Sequence, residues 1–236
     1  MGTPCTLITG GAGALGSGLA KHLLARGERA VLLDRPAAST ELQKLEAQAP
    51  ERCLGIGMDV SAAAAWAQAI QQSKSKLGPI TGAALIAGGF GGGKSFHEAD
   101  EQVWTQMMDR NLATTQASLR AVTRELVQQK YGSIVVIGAR PAVRPWEGKQ
   151  MAEYTASKAA VVALAQAVAA EVLEHNVRVN VVLPSAIDTA ANRASMPNAD
   201  FSRWVSIESL SGVIGFLLSD AARDISGAVI PVYGRS

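Results

Sequence analysis

Short apolar runs rich in β-branched residues alternate along the chain with longer segments of helical periodicity. The short runs are continuously apolar instead of alternating with polar positions, which indicates strands covered on both faces. The pattern predicts strands at 5–9, 29–34, 53–58, 82–87, 133–138, 177–183 and 228–232. Between them it predicts helices near 14–26, 61–77, 101–129, 150–175 and 206–220. This alternation predicts an α/β fold, a doubly wound parallel sheet of about seven strands with helices on both faces.

Length and composition fit one folded domain. The chain has 236 residues, 48% of them hydrophobic and 18% charged, so a single domain over 1–236 is expected. The net charge of +2, from 22 basic and 20 acidic residues without a long basic run, argues against nucleic-acid binding. No apolar stretch approaches the roughly 18 residues of a membrane span, so no membrane association is expected. Cys5 and Cys53, the only cysteines, form neither a disulfide framework nor a metal site, which favours a reduced protein in the cytoplasm.

The first strand leads into a glycine-rich turn and a helix, in the segment TLITGGAGALGSGLAKHL. Gly10 and Gly16 bracket the turn, with Gly11 and Gly13 between them. Glycines let the backbone bend and let a pyrophosphate approach main-chain N–H groups, while the helix presents its positive end to the phosphates. The place of this turn, between the first strand and a helix, predicts a dinucleotide site of Rossmann type.

An acidic residue at the end of the second strand indicates which dinucleotide binds. Asp34 follows Gly10 by 24 residues and could accept hydrogen bonds from both ribose hydroxyls of NAD while repelling the 2′-phosphate of NADP. Arg35 comes next and could bind that phosphate, so NADP stays the alternative to the favoured NAD. Asp34 could also serve only to cap the turn between strand and helix.

The segment GGFGGGKS at 88–95 matches the pattern of a phosphate-binding loop, G-x-x-x-x-G-K-S. A phosphate loop opens a helix directly after its Lys–Ser pair, whereas FHEADEQ follows here. The sequence therefore favours a flexible glycine-rich loop at the carboxyl edge of the sheet, where substrates bind in this architecture.

Two side chains in YTASK indicate acid/base chemistry. Tyr154 and Lys158 are four residues apart and project from one helix face. An ammonium near a phenol stabilises the phenolate, which predicts a tyrosine pKa below its usual value of about 10 and a usable proton donor. Asn111 lies in a predicted helix although Asn is a poor helix former, so it is either a solvated surface residue or has a specific role. Asp59, after the third strand, could receive an adenine amino group or cap the next helix.

Taken in order, these motifs resemble the short-chain dehydrogenase/reductase family over nearly the whole chain. The resemblance rests on TGGAGALG, Asp34, MDV, IAGG, Asn111, YTASK and VRVNVVLPSAIDT. It implies a nicotinamide cofactor, Tyr154 as the acid/base, and Lys158 binding the nicotinamide ribose while tuning the tyrosine. It also implies that Asn111 anchors a water of the proton relay.

The resemblance implies two groups of site residues. Ile187 and Thr189 would flank the carboxamide of the cofactor. The full cofactor set is Thr9, Gly10, Gly11, Gly13, Ala14, Leu15, Gly16, Asp34, Arg35, Met58, Asp59, Val60, Ala87, Gly88, Gly89, Tyr154, Lys158, Pro184, Ser185, Ile187 and Thr189. The substrate set is Ala139, Arg140, Arg144, Asn192 and Trp204, in which the two arginines either border the pocket or face solvent.

Three residues depart from the family pattern. Ala14 replaces a usual glycine, and Ser185 stands where glycine is common. Ala139 occupies the place of the catalytic serine, and no serine or threonine occurs from Ile134 to Glu153. That serine helps to hold a substrate carbonyl, and losing one such donor costs about 2.7–4 kcal/mol. A substrate that spreads its new charge over a conjugated ring is therefore expected.

The segment DTAANRASMPNADFSRW at 188–204, together with AGGFGGG, resembles the dihydropteridine reductase branch of the family. That branch also carries alanine at the serine position and uses NADH to reduce quinonoid dihydropterin. The segment is expected to form a short lid over the substrate. Asn111 resembles the wider family more than this branch, so a ketone, alcohol or 3-oxoacyl reductase is the alternative. A cofactor-binding regulator with decayed chemistry is a remote one.

The two longest predicted helices carry apolar residues on more than one side. These residues are Val103, Met107 and Leu112 in one helix, and Val161, Leu164 and Val168 in the other. A helix that is apolar beyond the stripe facing its own sheet usually has another partner. The sequence therefore predicts a homodimer or homotetramer that packs these helices across a two-fold axis.

Overall fold

The computed structural model describes residues 2–235, which contain one seven-stranded sheet. The strands are β1 Cys5–Thr9, β2 Arg29–Asp34, β3 Cys53–Gly57, β4 Gly82–Leu85, β5 Gly132–Ile137, β6 Val177–Pro184 and β7 Val229–Val232. All neighbouring strands are parallel and lie in the order β3-β2-β1-β4-β5-β6-β7. The predicted doubly wound parallel sheet is confirmed. Its strand order reverses between β1 and β4, where such sheets bind ligands.

Helices cover both faces of the sheet. They are α1 Ala14–Ala25, α2 Ser39–Ala47, α3 Ala63–Leu77, α4 Glu101–Met107, α5 Thr114–Gln129, α6 Ala152–Val172, α7 Ala190–Ser195 and α8 Ile207–Leu218. One buried core includes Trp66 of α3 and Val161 of α6, and the other includes Leu19 of α1 and Leu210 of α8. Apolar burial on both faces explains why the strands are continuously apolar.

The helices differ from the prediction in two ways. The segment predicted as one helix over 101–129 is interrupted by a π-helical turn at Met108–Ala113. Helices α2 and α7 were not predicted, because each has few apolar positions: α2 buries only Leu42 and Leu45, and α7 is six residues long. Short helices of this kind take their stability from tertiary contacts more than from periodicity.

The glycine-rich segment is not the start of a helix. Lys94 and Ser95 are followed by a 3₁₀ turn at Phe96–Glu98, and the next α-helix begins at Glu101. The Lys94 ammonium pairs with Asp100 at 3.1 Å on the surface. This geometry lacks the helix N-terminus that a phosphate loop requires, as the sequence indicated.

Helix α6 and its 3₁₀ extension contradict the expectation that no apolar segment is long enough to span a membrane. The segment Ala152–His175 is long and apolar enough to cross a membrane by length and composition, and it is the one such helix in the described residues. Val161, Ala165 and Ala169 of this helix are buried within the chain. Buried core helices can have the same length and composition, so these two properties are weak evidence that α6 spans a membrane.

The positions of the two cysteines exclude a disulfide between them. Cys5 lies on β1 and Cys53 on β3, with β2 between these strands. Because neighbouring strands are about 4.8 Å apart, the two backbones are separated by roughly 10 Å, beyond the reach of a disulfide. Both thiols are free, and burial raises their pKa to about 11, so neither is a reactive thiolate near neutral pH.

The six apolar residues from which a homodimer or homotetramer was expected are only partly on the surface. Met107 and Val161 are buried, at 1% and 0% exposure, so they serve the core of the chain itself. The other four are half-buried: Val103, Leu112, Leu164 and Val168. The surface available to a second copy is therefore narrower than the sequence pattern indicated.

Candidate active site

The turn after β1 is closed by its own glycines. Gly10 has a φ of 70°, and the Gly13 N–H donates to the Gly10 carbonyl at 3.1 Å. A Cβ on Gly16 would lie 2.1 Å from the Gly10 oxygen, and one on Gly11 would lie 2.7 Å from Leu32 Cβ. Helix α1 starts directly after Gly13, without a side-chain cap from the described residues. The exposed N–H groups of such a helix start suit a phosphate.

Two carboxylates stand near this turn. Asp34 Oδ2 accepts from Ala12 N at 3.0 Å and Oδ1 accepts from Arg35 N at 2.8 Å, so Asp34 caps the turn as well as bordering the cleft. Asp59 Oδ1 accepts from the N and Oγ of Ser61 at 2.9 and 2.7 Å. The bond from the Ser61 hydroxyl is the main cause of a lowered pKa at Asp59. Asp59 thus orders the turn before α3 and also faces the cleft.

A cleft of about 650 Å³ opens where the strand order reverses. The predicted cofactor residues on its lining are Gly10, Gly13, Ala14, Leu15, Gly16, Asp34, Arg35, Asp59, Val60, Ala87, Gly88, Gly89 and Thr189. Sequence reasoning missed Ser61, Ile86, Asp109, Arg110 and Thr114. The last three lie in or next to the π-helical turn, whose position no periodicity in the sequence reveals.

Eight predicted cofactor residues do not line this cleft: Thr9, Gly11, Met58, Tyr154, Lys158, Pro184, Ser185 and Ile187. Thr9 is buried, and its Oγ1 accepts from Ile86 N and Ala87 N at 3.0 and 3.1 Å, which positions the chain after β4. Met58 N donates to the Asp34 carbonyl at 2.7 Å.

The π-helical turn points Asn111 into the protein. Its side chain is 0% exposed, so the solvated-surface interpretation is wrong. Asn111 Oδ1 accepts from Gly89 N at 2.9 Å, and Nδ2 donates to Ser157 Oγ at 3.0 Å. The Ser157 hydroxyl donates in turn to the Tyr154 carbonyl at 2.8 Å. Asn111 and Ser157, which the sequence analysis missed although it stands in YTASK, therefore connect the loop after β4 to α6.

Lys158 lies beneath the cleft. It is 5% exposed, and its Nζ donates to the Ile137 carbonyl at 2.9 Å. A Cβ on Gly88 would lie 2.7 Å from Asn111 Oδ1 and 3.4 Å from Lys158 Nζ. Because position 88 carries no side chain, both groups are close to the cleft wall. Burial lowers the pKa of Lys158 to about 8.

Tyr154 differs from the prediction in its acidity. Burial raises the pKa of its phenol to about 12, so the predicted fall below the usual value is wrong. The cause is desolvation, because burial disfavours the charged phenolate. The neutral phenol is therefore the stable form far above neutral pH, which suits Tyr154 to donate a proton.

Arg140 and Arg144, on the loop after β5, contact other side chains of the same chain. Arg140 Nε lies 3.0 Å and Arg144 Nη1 lies 3.2 Å from the carboxylate of Glu147. Both guanidinium groups also lie over the ring of Tyr233, at 5.7 and 5.5 Å from its centroid. Neither arginine lines the 650 Å³ cleft. Ala139, directly before them, is 4% exposed.

The segment predicted to form a lid, residues 188–204, is closed at its base by its own neighbours. Ile187 and Val205 make a parallel bridge, and Asp188 N donates to the Val205 carbonyl at 2.8 Å. Thr189 caps α7 by accepting from Asn192 N at 3.1 Å, and Asn192 Nδ2 donates to the Ile187 carbonyl at 2.8 Å. Asn192, which is predicted to contact substrate, thus holds this segment together through its amide nitrogen, and its substrate contact stays a prediction.

Aromatic and charged side chains stiffen the rest of the lid. Trp204 packs on Phe201 with ring centroids 4.8 Å apart, so its ring contributes to the lid's own packing. Arg193 forms a two-pronged ion pair with Asp188, at 2.6 and 2.7 Å, and also lies over the Phe201 ring at 4.9 Å. The predicted lid is a folded unit in this structure.

The comparison with protein families decides the class of this chain. The family model for short chain dehydrogenases matches residues 4–200. The chain belongs to the short-chain dehydrogenase family. A 2,5-dichloro-2,5-cyclohexadiene-1,4-diol dehydrogenase, LinX of Sphingobium indicum, is 31% identical over 97% of this chain and 94% of its own length.

Two further comparisons agree with this family. The 3-oxoacyl acyl-carrier-protein reductase MabA of Mycobacterium tuberculosis is 29% identical over 97% of this chain and 90% of its own length. The solved structure of a short-chain type dehydrogenase/reductase from Mycobacterium ulcerans superposes with a TM-score of 0.88, at 29% identity, over 98% of this chain and 89% of that one. This short-chain dehydrogenase is therefore similar along its whole length to dehydrogenases and reductases.

The cleft of this short-chain dehydrogenase fits a nicotinamide dinucleotide. A Cβ on Gly16 would collide with the Gly10 carbonyl, so glycine at this position keeps the turn tight. The start of α1, which has no side-chain cap from the described residues, lines the cleft next to this turn. Asp34 and Arg35 stand where an adenosine ribose would lie in this architecture. The residues of the chain therefore suit the pyrophosphate and the ribose of the cofactor.

Proposed function

We propose that this short-chain dehydrogenase is an NAD(H)-dependent oxidoreductase that interconverts a carbonyl and a hydroxyl group on a small organic substrate. One observation carries the proposal: the hydrogen-bonded series from Gly89 N through Asn111 and Ser157 to the Tyr154 carbonyl. This series holds the tyrosine-bearing turn of α6 in a defined position relative to the dinucleotide cleft. Hydride transfer coupled to protonation requires that the proton donor be held in a fixed position relative to the cofactor.

Each polar residue then has a separate task. A bound nicotinamide would supply or accept the hydride. Tyr154 donates a proton to the substrate oxygen during reduction and accepts one during oxidation, and its high pKa keeps the phenol protonated beforehand. Lys158 would hold the ribose next to the nicotinamide, and in its charged form it stabilises the phenolate. Asn111 positions the loop after β4 and α6 through its hydrogen bonds to Gly89 N and Ser157 Oγ.

We infer NAD in preference to NADP. Three carboxylates, of Asp34, Asp59 and Asp109, line the cleft against two guanidinium groups, of Arg35 and Arg110, and Asp34 stands beside Arg35 where the adenosine ribose would lie. A 2′-phosphate would meet net negative charge there, whereas ribose hydroxyls would meet a hydrogen-bond acceptor. Arg35 keeps NADP as the alternative cofactor, because its side chain is exposed at the same place.

For the substrate we favour a cyclic ketone or alcohol conjugated with ring unsaturation. Ala139 supplies no hydroxyl to the substrate oxygen. A ring that takes the hydride at a carbon conjugated with the carbonyl spreads the charge over an enolate or phenolate, whose oxygen is then protonated, so such a ring needs that donor least. The Sphingobium relative is named for a cyclohexadiene diol, while the mycobacterial relative is named for a 3-oxoacyl group. The missing donor supports the ring compound over the linear acyl chain.

A second candidate substrate is quinonoid dihydropterin. Two features of the sequence favour it: alanine at position 139, and the lid segment NRASMPNADFSRW at 192–204. A quinonoid ring gains aromatic stabilisation on reduction, so it too can react without the serine donor. None of the relatives described above is named for a pterin, which places this substrate second.

The deciding experiment follows NADH oxidation at 340 nm with four acceptors: a cyclohexenone, cyclohexanone, quinonoid dihydropterin and a 3-oxoacyl thioester. We expect the cyclohexenone to exceed the 3-oxoacyl thioester in kcat/KM by about tenfold or more. The lost donor is worth more than about 1.4 kcal/mol to the localised alkoxide of the 3-oxoacyl group, whereas hydride addition at the conjugated carbon of the enone leaves a delocalised enolate. Turnover of the thioester alone would contradict the ring preference. No hydride transfer to any acceptor, with NADH still bound, would favour a binding protein with decayed chemistry.

We further propose that the protein acts in the cytoplasm as a homodimer or homotetramer, without nucleic-acid or membrane partners. The near-neutral charge balance and the half-buried apolar residues on α4, the π-helical turn and α6 support this.

A further inference from the structure

One aromatic side chain outside the predicted site touches the proposed acid/base. The ring of Phe90 lies 5.1 Å from that of Tyr154, centroid to centroid, with the two planes at 69°. This edge-to-face arrangement is a favourable aromatic contact. Phe90 is nevertheless 62% exposed, so much of its apolar surface faces solvent beside the reactive phenol.

The glycines around Phe90 allow close packing. A Cβ on Gly91 would lie 2.9 Å from Met107 Cε, and a Cβ on Gly92 would lie 2.7 Å from the Gln150 carbonyl oxygen. The segment is therefore pressed between α4 and the start of α6. A side chain at position 92 would collide with backbone, so glycine at that position lets the segment pack this closely.

Hydrogen bonds hold the same segment at both ends. Gly89 N donates to Asn111 Oδ1 at 2.9 Å, and Gly93 N donates to the Gln150 carbonyl at 2.8 Å. Phe90 lies between these two anchors, which belong to the π-helical turn and to the approach to α6. Its place over Tyr154 follows from this local framework.

Other exposed apolar side chains occur on the neighbouring connections. Val143 and Trp146, on the loop after β5, are 40% and 76% exposed, and Met196 of the lid is 42% exposed. With Phe90 they come from the three successive connections that leave β4, β5 and β6 at the carboxyl edge of the sheet. Large apolar groups at a site edge favour an apolar ligand.

We propose that Phe90 is a specificity-determining residue that forms one wall of the substrate site, selects substrates carrying a flat apolar ring, and screens Tyr154 from water. The inference rests on the proposed function, because it concerns the substrate of the same site. The exposed part of the phenyl ring offers a substrate ring the stacked or edge-on contact that it already makes with Tyr154. A linear chain gains less from such a contact.

The first test compares Phe90→Ala and Phe90→Leu with Phe96→Ala as a matched control. Phe96 is 66% exposed and lies six residues further along the same connection. We expect Phe90→Ala to lower kcat/KM for cyclohexenone about tenfold, mainly by raising KM. For a 3-oxoacyl thioester, kcat/KM should change by less than about threefold. Phe90→Leu should fall between, and Phe96→Ala should match the wild type. The dissociation constant of NADH, measured by fluorescence, should be unchanged in all three.

Equal losses on the ring and the linear substrate, or the same loss in Phe96→Ala, would overturn the selectivity. Phe90→Leu keeps an apolar side chain, so it tests the selectivity between ring and linear substrates even if Phe90→Ala unfolds.

The second test does not depend on turnover. Tyrosinate absorbance near 295 nm is titrated against pH in the wild type and in Phe90→Ala. The chain has three tyrosines, so both titrations are repeated with Tyr154→Phe added, and the difference gives the titration of Tyr154. Removing the phenyl ring should admit water to the phenol and move the pKa of Tyr154 down from about 12. An unchanged titration would overturn the screening. If the wild type reduces no carbonyl at all, the proposed function fails, while this titration still decides the role of Phe90.

Discussion

Asn111 Nδ2 donates to Ser157 Oγ across 3.0 Å, and this bond ties the π-helical turn to the helix that carries the proposed acid/base. Both side chains are fully buried, at 0% exposure. The bond joins residues 46 apart in the chain. It therefore transmits the position of the loop after β4 to the turn of α6 that bears Tyr154.

Replacing Ser157 by alanine should reduce both stability and catalysis. The buried Asn111 amide would lose its acceptor, which costs about 1–3 kcal/mol, measurable as a lower urea midpoint. The less defined position of Tyr154 should lower kcat by about tenfold or more with little change in NADH affinity. Ser118→Ala is the matched control, since Ser118 is also buried in a helix and donates to the Thr114 carbonyl at 2.8 Å. An equal loss of kcat in that control would show that the effect is one of stability alone.

Lys158→Met should abolish turnover and yet stabilise the protein at pH 7. Burial lowers the folded-state pKa of this lysine from 10.5 to about 8, so the folded protein carries the full cost of a buried ammonium below pH 8. Removing it should add on the order of 1–3 kcal/mol to the free energy of unfolding, after the lost bond to the Ile137 carbonyl is counted.

The stabilisation by Lys158→Met should depend on pH in a defined direction. The unfolded chain binds more protons than the folded one between about pH 8 and 10.5, so the wild type gains stability as pH rises through this range. The difference between variant and wild type should therefore shrink from pH 7.5 to pH 10, as followed by urea unfolding. A constant difference would mean that Lys158 keeps its usual pKa in the folded protein.

Asp34→Ser should change the cofactor preference. The carboxylate that faces the ribose would be lost, so the dissociation constant of NADH should rise about tenfold and that of NADPH should fall. Glu41→Gln serves as the control, because it removes a surface carboxylate of α2 that pairs with Lys44 at 2.7 Å. If NADPH already binds more tightly than NADH to the wild type, Arg35 governs this end of the cleft instead of Asp34.

Tyr154→Phe and Ala139→Ser test the proton donor and the missing hydroxyl. Tyr154→Phe should lower kcat by about 10²–10⁴-fold for simple ketones, and by less for a quinonoid acceptor. Ala139→Ser restores a donor beside the substrate oxygen, so it should improve turnover of cyclohexanone and leave a conjugated acceptor nearly unchanged. Ala139 is 4% exposed, so a loss of activity on every substrate would show that the alanine is there for space.

Light scattering at micromolar concentration should detect a homodimer or homotetramer. Val168 is half-buried on α6, so Val168→Glu should shift the population towards monomer by placing a charge in the interface. Gln43→Glu adds the same charge at an exposed position of α2, outside the helices of the predicted interface, and should leave the assembly unchanged. A wild type that is monomeric throughout would contradict the assembly.

The sequence by itself determined the fold and the place of the cofactor cleft. Continuous apolar runs occur because each strand is covered on both faces, so the pattern alone indicated a parallel sheet. Strand β1 begins and ends where predicted, at Cys5–Thr9, and the glycine turn lies directly after it. These features are local, because backbone freedom and burial leave their mark on neighbouring residues.

Tertiary structure decided how the site is assembled and how acidic its groups are. The π-helical turn, the bond from Asn111 to Ser157 and the contact of Phe90 with Tyr154 all join segments far apart in sequence. The spacing of Tyr154 and Lys158 indicated a lowered tyrosine pKa, but desolvation by the surrounding chain raises it to about 12. Periodicity records that a position is buried, not which distant group faces it, and both hydrogen bonding and desolvation depend on that distant group.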